Sequence, residues 1–401
     1  MSSSLHHYCS LHKYTHEGRV LLGKQAHKQA NIIQQYYSSM NITTSLILHL
    51  LTESGEISNN HNTNRIPIVS RNLQTLPDYT SPPTEAALDA TPSYYRSDDV
   101  INNAREAATA NLCTTLDDPS ACQILFPPSS DFDSSSSPSL GVIFYGGALV
   151  DPRSYSPLAK DLADGYGLAV SVPIFPNDVA FVGCTSDKWE LAGRAFPTVE
   201  KWIMVGHSMG GIGVGSEVWT ALSSTATTGD NGNDNGNDNG DDNGDNMSDM
   251  IGGMVLLGSY LRQDVGCGAI DFNNIDLPAA AISASLDGVV NMDRFAIGNE
   301  LLSDEHTFKM NILGANHGGF GSYDYSGRKT ILGQNDGVPL IPQQIQQDLS
   351  VSAIMHVVSR VGLPLPSKIG DTKAKRSKKS KSAKSTKGTK DTKGTKGKVR
   401  V

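Results

Sequence analysis

Apolar residues gather in short runs separated by longer polar-and-apolar stretches of helical period. The runs are "CQILFP" (Cys122 to Pro127), "LGVIFYGG" (Leu140 to Gly147), "LAVSVPIFP" (Leu168 to Pro176), Lys201 to Val205, "IGGMVLLGS" (Ile251 to Ser259), "LPAAAISAS" (Leu277 to Ser285) and "TFKMNILG" (Thr307 to Gly314). Each is the length of a buried strand. Between them, "YSPLAKDLADGYG", "DKWELAGRAFPTVE" as far as Pro197, the stretch after Ser208, and "NMDRFAIGNELL" read as helices. "PQQIQQDLSVSAIMHVVSRV" reads as a closing helix. Apolar strands alternating with helices predict an α/β fold. Its mostly parallel central sheet is covered by helices on both faces, because parallel strands need crossovers of one hand.

Three stretches lie outside this pattern. Residues 1–83 are rich in Ser, Asn, His and Thr, and their one apolar run, "SLILHLL", is too short to span a bilayer. No basic region abuts that run and no small-residue cleavage site follows it, so a cytoplasmic chain is favoured over a secreted one. "TGDNGNDNGNDNGDDNGDNMSD" is an acidic repeat within an expected insertion at 223–250. It has neither the glutamate of a calcium loop nor the apolar residues of a calcium-binding β-roll.

The tail, 367–401, holds 14 Lys or Arg against two Asp, leaving 19 basic and 39 acidic residues elsewhere. It cannot bury apolar surface and is expected to be disordered. It offers a non-specific contact to an anionic surface or polymer. Without interleaved aromatics it is not expected to read nucleic-acid sequence. The expected organisation is therefore an extension (1–83), a folded domain (84–366, with its core at 122–361) and a basic tail.

In a parallel sheet, chemistry collects beyond the carboxyl ends of the strands. Gly146-Gly147-Ala148, Ser208, Asp264, Asp287 and His317 fall there. Ser208 sits in "WIMVGHSMGG", between an expected strand and an expected helix, with Gly206 and Gly210 two positions to either side. That context is what a nucleophile elbow requires. A serine hydroxyl needs an imidazole to take its proton and a carboxylate to orient the imidazole, and Ser208, Asp287 and His317 supply the three types. Asp264 is the rival acid, though Asp287 lies directly beyond a strand. His207 is read as a supporting or core residue, and Tyr145 and Phe320 as packing.

The pieces "VIFYGGALVDPRSYSPLAKDLA", "VGHSMGG", "SASLDGVV" and "GANHGGFGSYD" occur in the order found in α/β-hydrolases. The region 122–361 resembles the compact members of that superfamily related to dienelactone hydrolase and chlorophyllase, with serine at the nucleophile position. The resemblance implies a serine hydrolase acting on a small-molecule ester, thioester or lactone, without metal or organic cofactor. It also implies an oxyanion hole from the backbone N–H groups of Ala148 and Met209. Only about 17 residues separate the strand ending near Ser259 from the next, so no large lid is expected. A different class is an inactive hydrolase-fold scaffold whose lysine-rich tail does the binding. The five cysteines are too few for a disulfide framework and are expected to be reduced, although Cys113 and Cys122 are spaced so that they could pair.

Overall fold

A computed structural model describes residues 80–132, 138–180, 186, 188–226, 247–263, 267 and 269–366. The chain divides into two compact units, Met1–Pro67 and Ile68–Val401, and every described residue lies in the second. Most of the extension, the acidic repeat at 227–246 and the basic tail lie outside the described residues, as does Asp264.

The described strands form one seven-stranded sheet. They are β1 (Gln123–Phe126), β2 (Leu140–Tyr145), β3 (Ala169–Pro173), β4 (Lys201–His207), β5 (Ile251–Leu257), β6 (Ala279–Ala284) and β7 (Thr307–Ile312). Their order across the sheet is β1-β3-β2-β4-β5-β6-β7. β1 pairs antiparallel with β3, and all other pairs are parallel. β2, β3, β5 and β6 are buried along their whole length, which is why each reads as an unbroken apolar run rather than an alternating one.

The helices are α1 (Glu85–Ala90), α2 (Asp98–Thr109), α3 (Ser156–Tyr166), α4 (Lys188–Ala195), α5 (Met209–Ala226), α6 (Met247–Met250), α7 (Met292–Asn299), α8 (Ser326–Leu332) and α9 (Gln343–Arg360). α3 ends as its sequence predicts, with Gly167 at φ +70° as the left-handed cap. Val214 and Val218 of α5 are fully buried against the sheet, as are Ile354 and Val357 of α9.

The structure departs from the pattern reading at four places. β4 runs two residues past Val205, because Gly206 and His207 still pair with β5 and Gly206 also with Tyr145 of β2. α5 extends to Ala226, into the expected insertion at 223–250. α1 and α2 were not anticipated from the sequence. Finally, Cys113 and Cys122 form a disulfide, their Cα atoms 5.7 Å apart, and Cys267 is also disulfide-bonded. The expectation of reduced thiols is thereby corrected: short spacing between α2 and β1 brings two buried cysteines within bonding reach. Among the described residues, no helix is long and apolar enough to cross a membrane. The described part of the β5–β6 connection contains no helix.

Candidate active site

Ser208 occupies the sharp turn between β4 and α5 with φ +54°. A left-handed backbone is unfavourable for a residue with a Cβ and persists only when its surroundings enforce it. Here the Ser208 N–H donates to Leu257 O at 3.0 Å, and Ser208 O accepts from Gly211 N at 3.1 Å and Ser259 Oγ at 2.6 Å. The first turn of α5 lies so close to the end of β2 that a Cβ on Gly210 would stand 2.4 Å from both Gly146 O and Tyr145 O. This crowding explains a helix that opens on three glycines in five residues despite their poor propensity.

His317 follows β7 in a loop that is itself pinned. Its Nδ1 lies 2.8 Å from Asp287 Oδ2, and both side chains are about 2 % exposed. Asp287 Oδ1 accepts from the N–H groups of Val289 and Val290 at 2.9 and 2.8 Å, so one oxygen is fixed by backbone and the other faces the imidazole. The ring of His207, the residue before Ser208, lies 4.7 Å from that of His317. A Cβ on Gly258, next to Leu257, would lie 3.2 Å from His317 Nδ1. Ser208, Asp287 and His317 thus share the carboxyl edge of the sheet.

His207 is fully buried, and burial, the nearby His317 and Arg328 hold its imidazole well below the usual histidine range. Burial raises the Tyr155 hydroxyl above the usual phenol range, so it keeps its proton. Tyr155 Oη accepts from Gly147 N at 2.7 Å and stands 2.8 Å from His207 Nδ1. The protonated phenol donates to Nδ1, which leaves the proton of the neutral imidazole on Nε2. Tyr145 and Phe320 are buried, and the Tyr145 hydroxyl donates to Glu217 Oε2 at 2.6 Å within the core.

The turn after β2 presents the amide of Ala148, which has no acceptor among the described residues. Across from it, Met209 opens α5, where first-turn N–H groups have no intrahelical partner and the helix dipole favours negative charge.

Several supporting residues carried no local sequence signal. Asp336 Oδ1 accepts from His317 N and Gly288 N, both at 3.1 Å, and its Oδ2 accepts from Gly318 N at 2.7 Å. The Gln346 side-chain amide pairs reciprocally with the backbone of Asn316, at 2.7 and 3.3 Å. Tyr155 and Arg328 also reach the site from distant segments. Among the described residues, no group of three or more His, Cys, Asp or Glu side chains could hold a metal ion.

A mostly parallel sheet of this strand order, with a strained serine where a central strand turns into a helix, defines a hydrolase fold. Residues 141–223 and 243–338 match the model of the alpha/beta hydrolase family. Solved structures similar to this chain include a thermophilic esterase from the Planctomycetes species Thermogutta terrifontis. The match has 16 % identity and a TM-score of 0.34, covering 53 % of this chain and 84 % of that one. Its propionate-bound form matches at 16 % identity and TM-score 0.37, covering 60 % and 89 %. The form phosphorylated by paraoxon matches at 15 % and 0.35, covering 53 % and 85 %. None of the curated proteins matches the chain.

Proposed function

We propose that this α/β-hydrolase is a serine hydrolase that cleaves a carboxylic ester or a related thioester or lactone. The proposed catalytic residues are Ser208 as nucleophile, His317 as general base and acid, and Asp287 as the orienting carboxylate. The observation that carries this reading is a strained turn at Ser208 and a buried, hydrogen-bonded His317–Asp287 pair on the same carboxyl edge of the sheet.

His317 Nδ1–H donates to Asp287, which leaves Nε2 as the acceptor for the Ser208 proton. As that proton moves to Nε2, Oγ forms a bond to the carbonyl carbon, and the carbonyl electron pair becomes an oxyanion. The N–H groups of Ala148 and Met209 stabilise it. The intermediate collapses, the bond to the alcohol oxygen breaks, and the alcohol leaves with the proton from Nε2. Water then attacks the acyl-enzyme, giving its proton to Nε2. Collapse of the second intermediate releases the acid, and the proton returns to Ser208. The proposed histidine is poised for this by its fixed tautomer, and the strained turn holds the proposed nucleophile clear of its own backbone.

A fluorophosphonate probe tests the reading. Labelling of the wild type and not of Ser208→Ala is expected. A wild-type protein that is folded and yet unlabelled would favour the inactive scaffold instead.

A further inference from the structure

We propose that Arg328 is a positioning residue for the oxyanion-binding turn, clamping the carbonyl groups on either side of the Leu149 peptide so that the Ala148 N–H faces the reacting carbonyl. The inference rests on the reading of Ala148 as an oxyanion donor.

The turn from Gly146 to Val150 has the backbone groups on both sides of the Ala148 amide committed. Gly147 N donates to Tyr155 Oη at 2.7 Å. Leu149 N donates to Asp178 O at 2.8 Å. Arg328 supplies two more: its Nη2 donates to Ala148 O at 2.9 Å and its Nη1 to Leu149 O at 3.0 Å, where the Ser81 N–H also donates at 2.8 Å. The peptide between Ala148 and Leu149 is therefore held at both its carbonyl and its N–H. The amide of Ala148 lies between that fixed peptide and the one fixed by Tyr155. Leu149 is left-handed at φ +57°, a conformation that needs enforcement from outside the turn.

Arg328 is suited to enforce it. Its guanidinium is buried, at 4 % exposure for the residue. The planar fork is oriented by two further bonds, Nη1 to Ser81 Oγ and Nε to Gln334 Oε1, each 2.8 Å. Such a fork grips two neighbouring carbonyls at once, whereas an ammonium group is a point donor. Arg328 belongs to α8, eleven residues after His317. One side chain thus ties the segment that follows the proposed base to the turn of the proposed oxyanion donor.

The test uses Arg328→Lys and Arg328→Ala in the full chain, assayed on p-nitrophenyl acetate. A trifluoromethyl ketone serves as the mimic of the tetrahedral intermediate. In Arg328→Ala, kcat should fall about 10- to 100-fold while KM stays within about threefold. Affinity for the ketone should fall in step with kcat/KM. Arg328→Lys should fall between that variant and the wild type, and millimolar guanidinium should restore part of the kcat of Arg328→Ala. The proposal is overturned if folded variants keep kcat and ketone affinity within about twofold of wild type. It is equally overturned if lost activity only follows a lowered Tm and returns in assays well below that temperature. Ser208→Ala, run alongside, separates the two levels. If Ser208→Ala keeps wild-type turnover, the hydrolase reading itself fails; if it is inactive and both Arg328 variants are unaffected, only the clamp fails.

Discussion

The main-chain N–H of His317 is held by the carboxylate of Asp336 at 3.1 Å, and the same Asp336 oxygen accepts from Gly288, the residue after Asp287. One side chain therefore sets the distance between the loop carrying the histidine and the loop carrying its carboxylate partner. Asp336→Asn turns one acceptor into a donor facing an N–H, and Asp336→Ala removes both. We expect Asp336→Ala to lower kcat/KM at least about tenfold, the equivalent of roughly 1.4 kcal/mol in the barrier. Tm should also fall, since hydrogen bonds to a charged group contribute about 1.5–3 kcal/mol. Steady-state kinetics and thermal unfolding on both variants decide this; unchanged kcat/KM in a folded Asp336→Ala would refute it.

The proposed triad acts as a unit. Ser208→Ala and His317→Ala should each reduce ester turnover by about three orders of magnitude or more with little change in stability, and Asp287→Asn should also be severe. Asp264→Asn should be mild. The comparison is made on kcat/KM for a short-chain p-nitrophenyl ester. A worse defect in Asp264→Asn than in Asp287→Asn would reassign the acid.

Two glycines in helices should respond oppositely to alanine. At Gly210 the new Cβ meets backbone oxygens at 2.4 Å, so α5 must move off β2 and carry Ser208 with it. A stability loss of about 3 kcal/mol and a collapse in turnover are expected. At Gly165 in α3 a Cβ meets nothing within 4 Å. Gly165→Ala should stabilise by about 0.5–1 kcal/mol. Denaturant unfolding of the two variants checks both signs.

His207 makes stability depend on pH. Its folded pKa lies well below the ordinary 6.5, so the unfolded chain binds its proton first as pH falls. Stability should decline below about pH 6.5, as the unfolded chain takes up the proton that the buried His207 imidazole resists. Asp178 acts with the opposite sign: burial pushes its carboxyl up to about 6 against the pull of Arg105, so its protonation favours the folded state between about pH 6 and 4. His207→Phe should therefore flatten the fall in Tm between pH 7 and 5. An identical slope in this variant would show that another group carries the acid sensitivity.

The Cys113–Cys122 bond closes a short loop, for which chain-entropy arguments give about 2–3 kcal/mol. Cys113→Ser with Cys122→Ser, or dithiothreitol added to the wild type, should lower Tm by several degrees, on the order of 4 °C or more. A wild-type Tm indifferent to reductant would mean that the bond contributes nothing.

The core strands were legible because each is buried on both faces, so sequence and structure share one signal. The turn at Ser208 was legible because close approach of α5 to β2 forces glycine at fixed offsets from the serine. α2 was hidden because its sequence, "DDVINNAREAAT", turns only Ile101, Ala104 and Ala108 inward and otherwise reads as polar chain. Asp336, Tyr155 and Arg328 were hidden for another reason: their work is done across the chain. Arg328 and Leu149 are 179 residues apart, and neither local periodicity nor any short motif registers a bond of that span.

α5 starts at the edge of the sheet that carries Ser208 and runs 18 residues, about 27 Å, toward the other edge. β5 then starts beside the first residue of β4, where Lys201 Nζ donates to Asp249 O. The described residues that flank 227–246, Ala226 and Met247, therefore lie toward the rim opposite Ser208. A connection between those two flanks can change length at little thermodynamic cost, because closure entropy grows only logarithmically with the number of residues. The tract "DNGNDNGNDNGDDNGDN" falls in that connection, so its length and charge are set at the rim away from the strand ends that carry Ser208, Asp287 and His317.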